Sequence, residues 1–451
     1  MISMQLSAAS AALNGTLIGA DRRFTGCSYD SRTLQPGELF IALRGAARDG
    51  HDFISAAFAK GAGAALVDRD AAYPLPVVRV DDTRKQAGIL AGHWRAGFDA
   101  PIIAVTGSNG KTTVKEMIHA ILSVNAEVLS TQGNLNNDIG VPLTLFRMAP
   151  SHRFAVVEMG ANHAGEISWL SRIARPGVAL ITQCAPAHLE GFGSVAGVAE
   201  AKAEIYEGLA PAGTAVVNVD DDYSGLWLER SRRNRQITFG ISTTADVSAG
   251  NISTDLARGR TRFDLEFDDS KVSTNLSLYG RHNVLNALAA AACCIAVDIP
   301  LEQVKAGLER IRAIKGRMQL KNGLRDARIF DDTYNANPMS LNAALRVVSE
   351  LPGRSWLILG DMGELGVASA RFHEEAGVQA RAFGIERLYG IGDLAAHSVR
   401  GFGAGARHFG RMDDLVETLR RELCPELNLL VKGSRSMAME RVVNALVEET
   451  A

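Results

Sequence analysis

The octapeptide Thr106-Gly-Ser-Asn-Gly-Lys-Thr-Thr113 joins two glycines, a lysine and consecutive hydroxyls, the composition of a loop that cradles phosphate. Glycines let successive backbone N–H groups turn toward phosphate oxygens, and a helix N-terminus adds a favourable dipole. In such a loop Lys111 reaches the β- and γ-phosphates of ATP and the Thr112 hydroxyl takes Mg²⁺. Gly107, Ser108, Asn109, Gly110 and Thr113 complete the candidate ATP contacts. Val105 stands where the full G-x-x-x-x-G-K-[ST] pattern has its first glycine. An accidental Gly-Lys-Thr turn is the competing reading, and the context argues against it. The apolar run 102–105 precedes the loop, and Val114, Met117, Ile118, Ile121 and Leu122 after it fall on one helical face.

Other side chains are ambiguous when taken singly. Glu158 follows the apolar run 154–157, so it is either an oxygen ligand for a hard cation or a turn carboxylate. His188, in Ala187-His188-Leu189-Glu190-Gly191, is a metal ligand or an ordinary loop histidine. Lys202 falls on a predicted helix, where the default is an exposed lysine paired along that helix. Asn218-Val219-Asp220-Asp221 resembles the guanine-reading N-K-x-D motif but lacks its lysine, which weakens a switch GTPase. Asp331-Asp332-Thr333-Tyr334-Asn335-Ala336-Asn337-Pro338 either binds ribose and stacks on a base or simply ends a strand in an Asx-rich turn. Arg317 offers a planar cation to phosphate, or is a linker arginine.

The elements that position these groups divide into three blocks. At roughly 150 residues per domain, 451 residues predict about three domains. Short β-rich runs at 39–43, 64–67 and 77–80 mark the first block, which closes near Pro101. The second holds the phosphate loop, apolar runs at 154–157 and 178–182, and an Ala-rich helix over 283–297. In the third, apolar runs at 356–359, 388–391 and 427–431 each lead into glycine and a charged residue, the pattern of parallel strands with ligand-binding carboxyl ends. A helix follows Ser434, with Met439, Val442, Val443 and Leu446 on one face. The fold class is therefore α/β: a mixed α/β N-terminal domain (1–99), a central P-loop-type ATPase domain with a mostly parallel sheet (100–314), and a C-terminal Rossmann-like domain (315–451).

Balanced charge, 48 basic against 50 acidic residues, disfavours nucleic acid or an anionic membrane surface as partner. Five scattered cysteines without CxxC spacing read as reduced thiols. No basic n-region opens the chain, and no apolar run approaches the ~20 residues that span a bilayer. A cytoplasmic protein without membrane insertion, working as a monomer, is expected. Glycine is in excess, 44 of 451 residues, as suits an α/β chain with many strand-to-helix turns.

Taken together and in order, these motifs resemble the ATP-dependent Mur ligases of peptidoglycan synthesis. TGSNGKTT, Glu158-Met159-Gly160, the His188 loop, Lys202, Arg281-His282-Asn283 and Gly316-Arg317 follow that family's sequence order. The runs DDTYNANPMS from Asp331, LGDMGELG from Leu359 and GNLNNDIGVP from Gly133, with DSR and DGHDF in the first block, point to the member acting last. A D-N-P-R run, which the ligase adding the third residue would show, is absent.

The resemblance implies an ATP-dependent, ADP-forming amide ligase that joins D-Ala-D-Ala to UDP-N-acetylmuramoyl-tripeptide through an acyl phosphate. Thr112 and Glu158 would hold one Mg²⁺; His188 and Lys202, the latter carbamylated by CO₂, a second. Lys111, Lys202, His188 and Arg317 form the implied catalytic set. Asn283 and Asn286 would approach adenine, Asp332 the ribose, with Tyr334 and Asn335 beside them. Ser31 and Arg32 are expected at the UDP group, and Asn134 and Asn137 at the substrate. Lys432, Ser434 and Arg435 are expected at a substrate carboxylate. A folylpolyglutamate synthetase-like ligase would share the last two domains but lack this first block. A non-ligase P-loop switch would need a base-reading motif that is missing here.

Overall fold

The computed structural model describes residues 1–45, 47–255 and 259–448. Three domains follow one another along the chain, each built on its own sheet. In the N-terminal domain a five-stranded sheet runs in the order Thr16–Ile18, Val77–Arg79, Ala64–Val67, Leu39–Ile41, Cys27–Ser28, and only the first pairing is antiparallel. Every residue of Ala64–Val67 is buried, as expected of a parallel strand covered on both faces.

The central sheet has nine strands, and Ile102–Thr106 lies between Phe154–Glu158 on one side and Val178–Ile181 on the other. The chain thus leaves this strand first to one side and later to the other. Such a reversal leaves a crevice at the carboxyl ends, where open α/β sheets take ligands. The phosphate loop is in that crevice, and the helix Lys111–Leu122 leaves from it. At the far edge the sheet continues as the antiparallel strands Val247–Asp255, Arg260–Phe267 and Ser270–Leu276, an extension that the sequence did not announce.

The Ala-rich helix is Arg281–Ile295, buried at every residue from Ala287 to Ile295. It packs against Lys111–Leu122, as does Leu301–Leu308. Gly307 permits the second contact: a Cβ there would lie 2.2 Å from Ile121 Cα, so only glycine allows the helices this close. One apolar cluster runs without a break from Ile2 of the N-terminal domain to Trp227 of the central domain.

The C-terminal sheet is ordered Gln319–Asn322, Arg328–Asp332, Leu427–Lys432, Arg354–Gly360, Arg387–Ile391, Ala406–Phe409, parallel except for its first strand. Register sets Asp332 opposite Lys432 at adjacent carboxyl ends. The predicted last helix is interrupted: a short turn at Arg435–Met437 leads through Ala438, at φ 48°, into Glu440–Leu446. Among the described residues no helix is long and apolar enough to cross a membrane.

Candidate active site

A cleft of about 960 Å³ opens between the central and C-terminal domains. Its floor is the phosphate loop. Ser108, Asn109, Gly110, Lys111 and Thr113 line the cleft, and the buried Thr182 hydroxyl braces the loop by donating to Asn109 O at 2.6 Å. Gly110, at φ 83°, opens the helix where a Cβ would collide with the Asn286 amide. The Lys111 ammonium folds back onto Gly107 O at 2.7 Å. Burial lowers its pKa; Glu158 opposes that shift and Arg317 adds to it.

Thr112 and Glu158 meet as the strand-end position of Glu158 predicts. The Thr112 hydroxyl donates to Glu158 Oε2 at 3.0 Å, and Asn136 Nδ2 donates to Oε1 at 2.8 Å. The carboxylate is 2% exposed and its backbone N–H donates to Thr131 Oγ1. A hydroxyl and a carboxylate at a helix N-terminus are hard oxygen donors, the set that Mg²⁺ takes up together with phosphate oxygens. Among the described residues no three His, Cys, Asp or Glu side chains converge as a metal site.

Lys202 departs from the exposed helical lysine of the sequence reading. It lies in the last turn of Val195–Ala203, 1% exposed, with its ammonium 5.6 Å from the centroid of the Phe192 ring. No carboxylate among the described residues pairs with it, and burial, aided by Lys111, pushes its pKa down to about 7. His188, at φ 53°, faces Glu364 across the domain boundary, Nδ1 to Oε2 2.5 Å. That pairing holds the Glu364 carboxyl below its usual range. Glu364 is also in the left-handed region, at φ 63°, so two non-glycine residues carry backbone strain where they meet.

On the opposite wall, Arg317, Asp332, Tyr334 and Asn335 line the cleft. Asn283 is mostly engaged around the start of its own helix: Nδ2 donates to Tyr279 O, just before the cap, at 2.8 Å and Oδ1 accepts from Asn286 Nδ2 at 3.1 Å. Lys432 lines the cleft as expected, but its ammonium is 2.5 Å from Asp332 Oδ2 and donates to Asn335 O, with the residue 2% exposed, so a substrate carboxylate would compete with Asp332 for it. Ser434 and Arg435 line the cleft, Arg435 paired with Glu440 at 2.8 Å.

Asn134 and Asn137 line the cleft too, but the Asn137 carbonyl is spent on Gly140 N at 2.9 Å. Ser31 and Arg32 lie outside it, Arg32 clasped by Asp30 at 2.7 Å and largely in solvent. The Asn218–Asp221 run is structural: Asp220 accepts from the N–H groups of Ile241, Ser242 and Thr243, and Asp221 from Cys184 N. Asn136, Glu364 and Asn337 are among the cleft residues that the sequence does not single out. Asn136 sits between the candidates Asn134 and Asn137, while Glu364 and Asn337 lie within LGDMGELG and DDTYNANPMS.

The family descriptions Mur ligase family, catalytic domain, Mur ligase middle domain, and Mur ligase, glutamate ligase domain match residues 23–95, 105–294 and 316–435. The chain is 44% identical over 451 residues to the UDP-N-acetylmuramoyl-tripeptide–D-alanyl-D-alanine ligase of Escherichia coli, covering 99% of each. The chain belongs to the Mur ligase family. The likeness extends to solved structures. A MurF crystal structure from Acinetobacter baumannii, 33% identical, superposes at a TM-score of 0.93 over 98% of both chains. A MurF ligase from Thermotoga maritima in complex with ADP, 26% identical, gives 0.82 over 93% of this chain and 96% of that one. In this Mur ligase the phosphate loop, Glu158, Lys202 and Arg317 therefore sit in one cleft of a shared three-domain fold.

Proposed function

We propose that this Mur ligase joins D-alanyl-D-alanine to UDP-N-acetylmuramoyl-tripeptide at the expense of ATP, giving ADP, phosphate and the UDP-muramoyl-pentapeptide precursor of peptidoglycan. The observation that carries this reading is the convergence of the phosphate loop, Glu158, Lys202, Arg317 and the Asp332 loop on one cleft, in a chain alike over its full length to an enzyme of that name. It works in the cytoplasm as a monomer. Residues 1–99 take the UDP end, with Ser31 and Arg32 on that domain; 100–314 take ATP; 315–451 bring the dipeptide.

ATP transfers its γ-phosphoryl group to the terminal carboxylate of the tripeptide. The dipeptide amine then attacks the acyl phosphate and phosphate leaves. Both steps crowd anions, so positioning and local cations carry the catalysis. Lys111 and Arg317 supply fixed positive charge from opposite walls. Thr112 and Glu158 would hold one Mg²⁺, which neutralises phosphate charge, while Asn136 fixes the carboxylate. A lysine with a pKa near 7 is partly neutral at physiological pH, the form that reacts with CO₂: the amine nitrogen bonds carbon, one proton leaves, and a carbamate results. That group, with Nε2 of His188, would serve a second Mg²⁺. Asn283, Asn286, Asp332 and Asn335 face the nucleoside, Asn134 and Asn137 the muramoyl peptide, and Ser434 and Arg435 the dipeptide carboxylate.

Phosphate release from ATP decides the reading when UDP-muramoyl-tripeptide is supplied with D-Ala-D-Ala, with glutamate or with neither. Release that requires D-Ala-D-Ala supports it. Release with glutamate alone favours the folylpolyglutamate-type ligase, and release indifferent to any acceptor sinks both.

A further inference from the structure

Arg317 is a cation without a counter-ion. Among the described residues no carboxylate is paired with its guanidinium, and its Nε is buried without a partner. Nη2 donates to Thr112 Oγ1 at 3.3 Å, and Cζ lies 4.1 Å from the centroid of the Tyr334 ring. The Thr112 contact is weak support, because it is long and the hydroxyl oxygen that accepts it is neutral. The ring is the stronger of the two.

We propose that Tyr334 is the positioning residue for Arg317, its π face holding the guanidinium at the phosphate site while leaving the charge uncompensated. A carboxylate could hold an arginine equally well, but it would cancel the charge and compete with the phosphoryl group. An aromatic face attracts the same cation through its quadrupole and accepts none of the N–H donors in the guanidinium plane. The ring therefore takes none of the N–H donors that phosphate oxygens would use.

Backbone geometry makes the pair one unit. Gln319–Asn322 and Arg328–Asp332 are antiparallel neighbours with Gln319 opposite Asp331, so Arg317 and Tyr334 extend from the same end of a two-stranded ribbon. Tyr334 N donates to Gly316 O at 3.1 Å. Gly316 has φ 71°, and a Cβ there would come within 3.2 Å of Tyr334 N. The turn before the arginine is thus seated on the backbone that carries the ring. Ring and cation belong to the C-terminal domain and Thr112 to the central one, so the ribbon presents Arg317 to the phosphate loop where the domains meet. The sequence left Tyr334 open as a surface on which a base stacks; Arg317 covers a face of that ring instead.

The proposal rests on the reading that ATP phosphates occupy the Lys111–Thr112 loop. Its test compares Tyr334→Leu, Tyr334→Phe, Arg317→Ala and the Arg317→Ala/Tyr334→Leu double variant. Each is assayed for kcat and KM, for Tm, and for calorimetric binding of Mg·ADP and of adenosine alone. Tyr334→Leu should lower kcat/KM for ATP about 3- to 30-fold, and Tyr334→Phe should restore most of that loss. In the Arg317→Ala background Tyr334→Leu should add nothing, since each change removes the same contact. Equal loss in the Phe and Leu variants, or an undiminished loss in the Arg317→Ala background, overturns the proposal. So does weaker adenosine binding by Tyr334→Leu, which would make the ring a base platform. Coupled losses in Mg·ADP affinity without D-Ala-D-Ala-dependent turnover would sustain the positioning role while overturning the ligase reading.

Discussion

Asn337 of the C-terminal domain reaches the phosphate loop: its Nδ2 lies 2.7 Å from Asn109 Oδ1 in the central domain. The same side chain caps its own helix, Oδ1 accepting from Ser340 N at 2.9 Å, with Ser340 reciprocating at the Asn337 N–H. One amide thus starts Pro338–Ser349 and ties that helix to the loop that would hold ATP.

The two duties separate by substitution. Asn337→Ser keeps a good capping hydroxyl and loses the reach to Asn109. Its Tm should stay near wild type while KM for ATP rises about fivefold, the equivalent of one hydrogen bond of ~1 kcal/mol. Asn337→Ala loses both contacts and should cost about 1 kcal/mol of stability besides. Equal Tm values for Ser and Ala would remove the cap from this account, and an unchanged KM in both would remove the bridge.

What the sequence could disclose depended on locality. The phosphate loop was legible because its glycines, lysine and hydroxyl are contiguous and flanked by a strand and a helix. Glu158 was legible because a carboxylate at the end of an apolar run must emerge at a sheet edge; the strand in fact extends through it, Phe154–Glu158. Strand limits elsewhere fell within a residue or two, as at Ala64–Val67 and Leu427–Lys432. Asn136 was not legible: it lies in an irregular stretch where no periodicity says which asparagine turns inward. The burial of Lys202 was not legible either, because a helix pattern says nothing of what covers it. His188 and Glu364 are 176 residues apart in number and meet only because two domains do.

Burial of Lys202 fixes the sign of a pH effect. Its pKa falls from the ordinary 10.5 to about 7 on folding. Between those values the unfolded chain binds a proton that the folded chain does not, so stability rises with pH across that window and is flat below it. Lys202→Met should therefore be more stable than wild type at pH 7 by on the order of a few kcal/mol. The advantage should shrink as pH climbs toward 10.5. Thermal unfolding of both proteins in CO₂-free buffer from pH 6 to 10 measures it. Bicarbonate should then raise the wild-type Tm and leave that of Lys202→Met unchanged; a constant difference across the range would mean that the amine is charged in the fold.

Lys432 and Asp332 offer a choice between structural and substrate roles. The pair joins neighbouring strand ends in the register that sets them opposite, and both residues are buried, at 2% and 8% exposure. Removing one partner of a buried pair leaves a charge without water or counter-ion, typically at about 3–5 kcal/mol. Lys432→Met should lose stability on that scale in urea unfolding, tempered by the Met318 N–H that still donates to Asp332 Oδ1. The Lys432→Met/Asp332→Leu double variant should recover part of the loss, since no unpaired charge remains. A lysine serving a substrate carboxylate behaves otherwise: Lys432→Met would raise KM for D-Ala-D-Ala with no change in the urea midpoint. The buried contact with Asp332 argues for the stability loss.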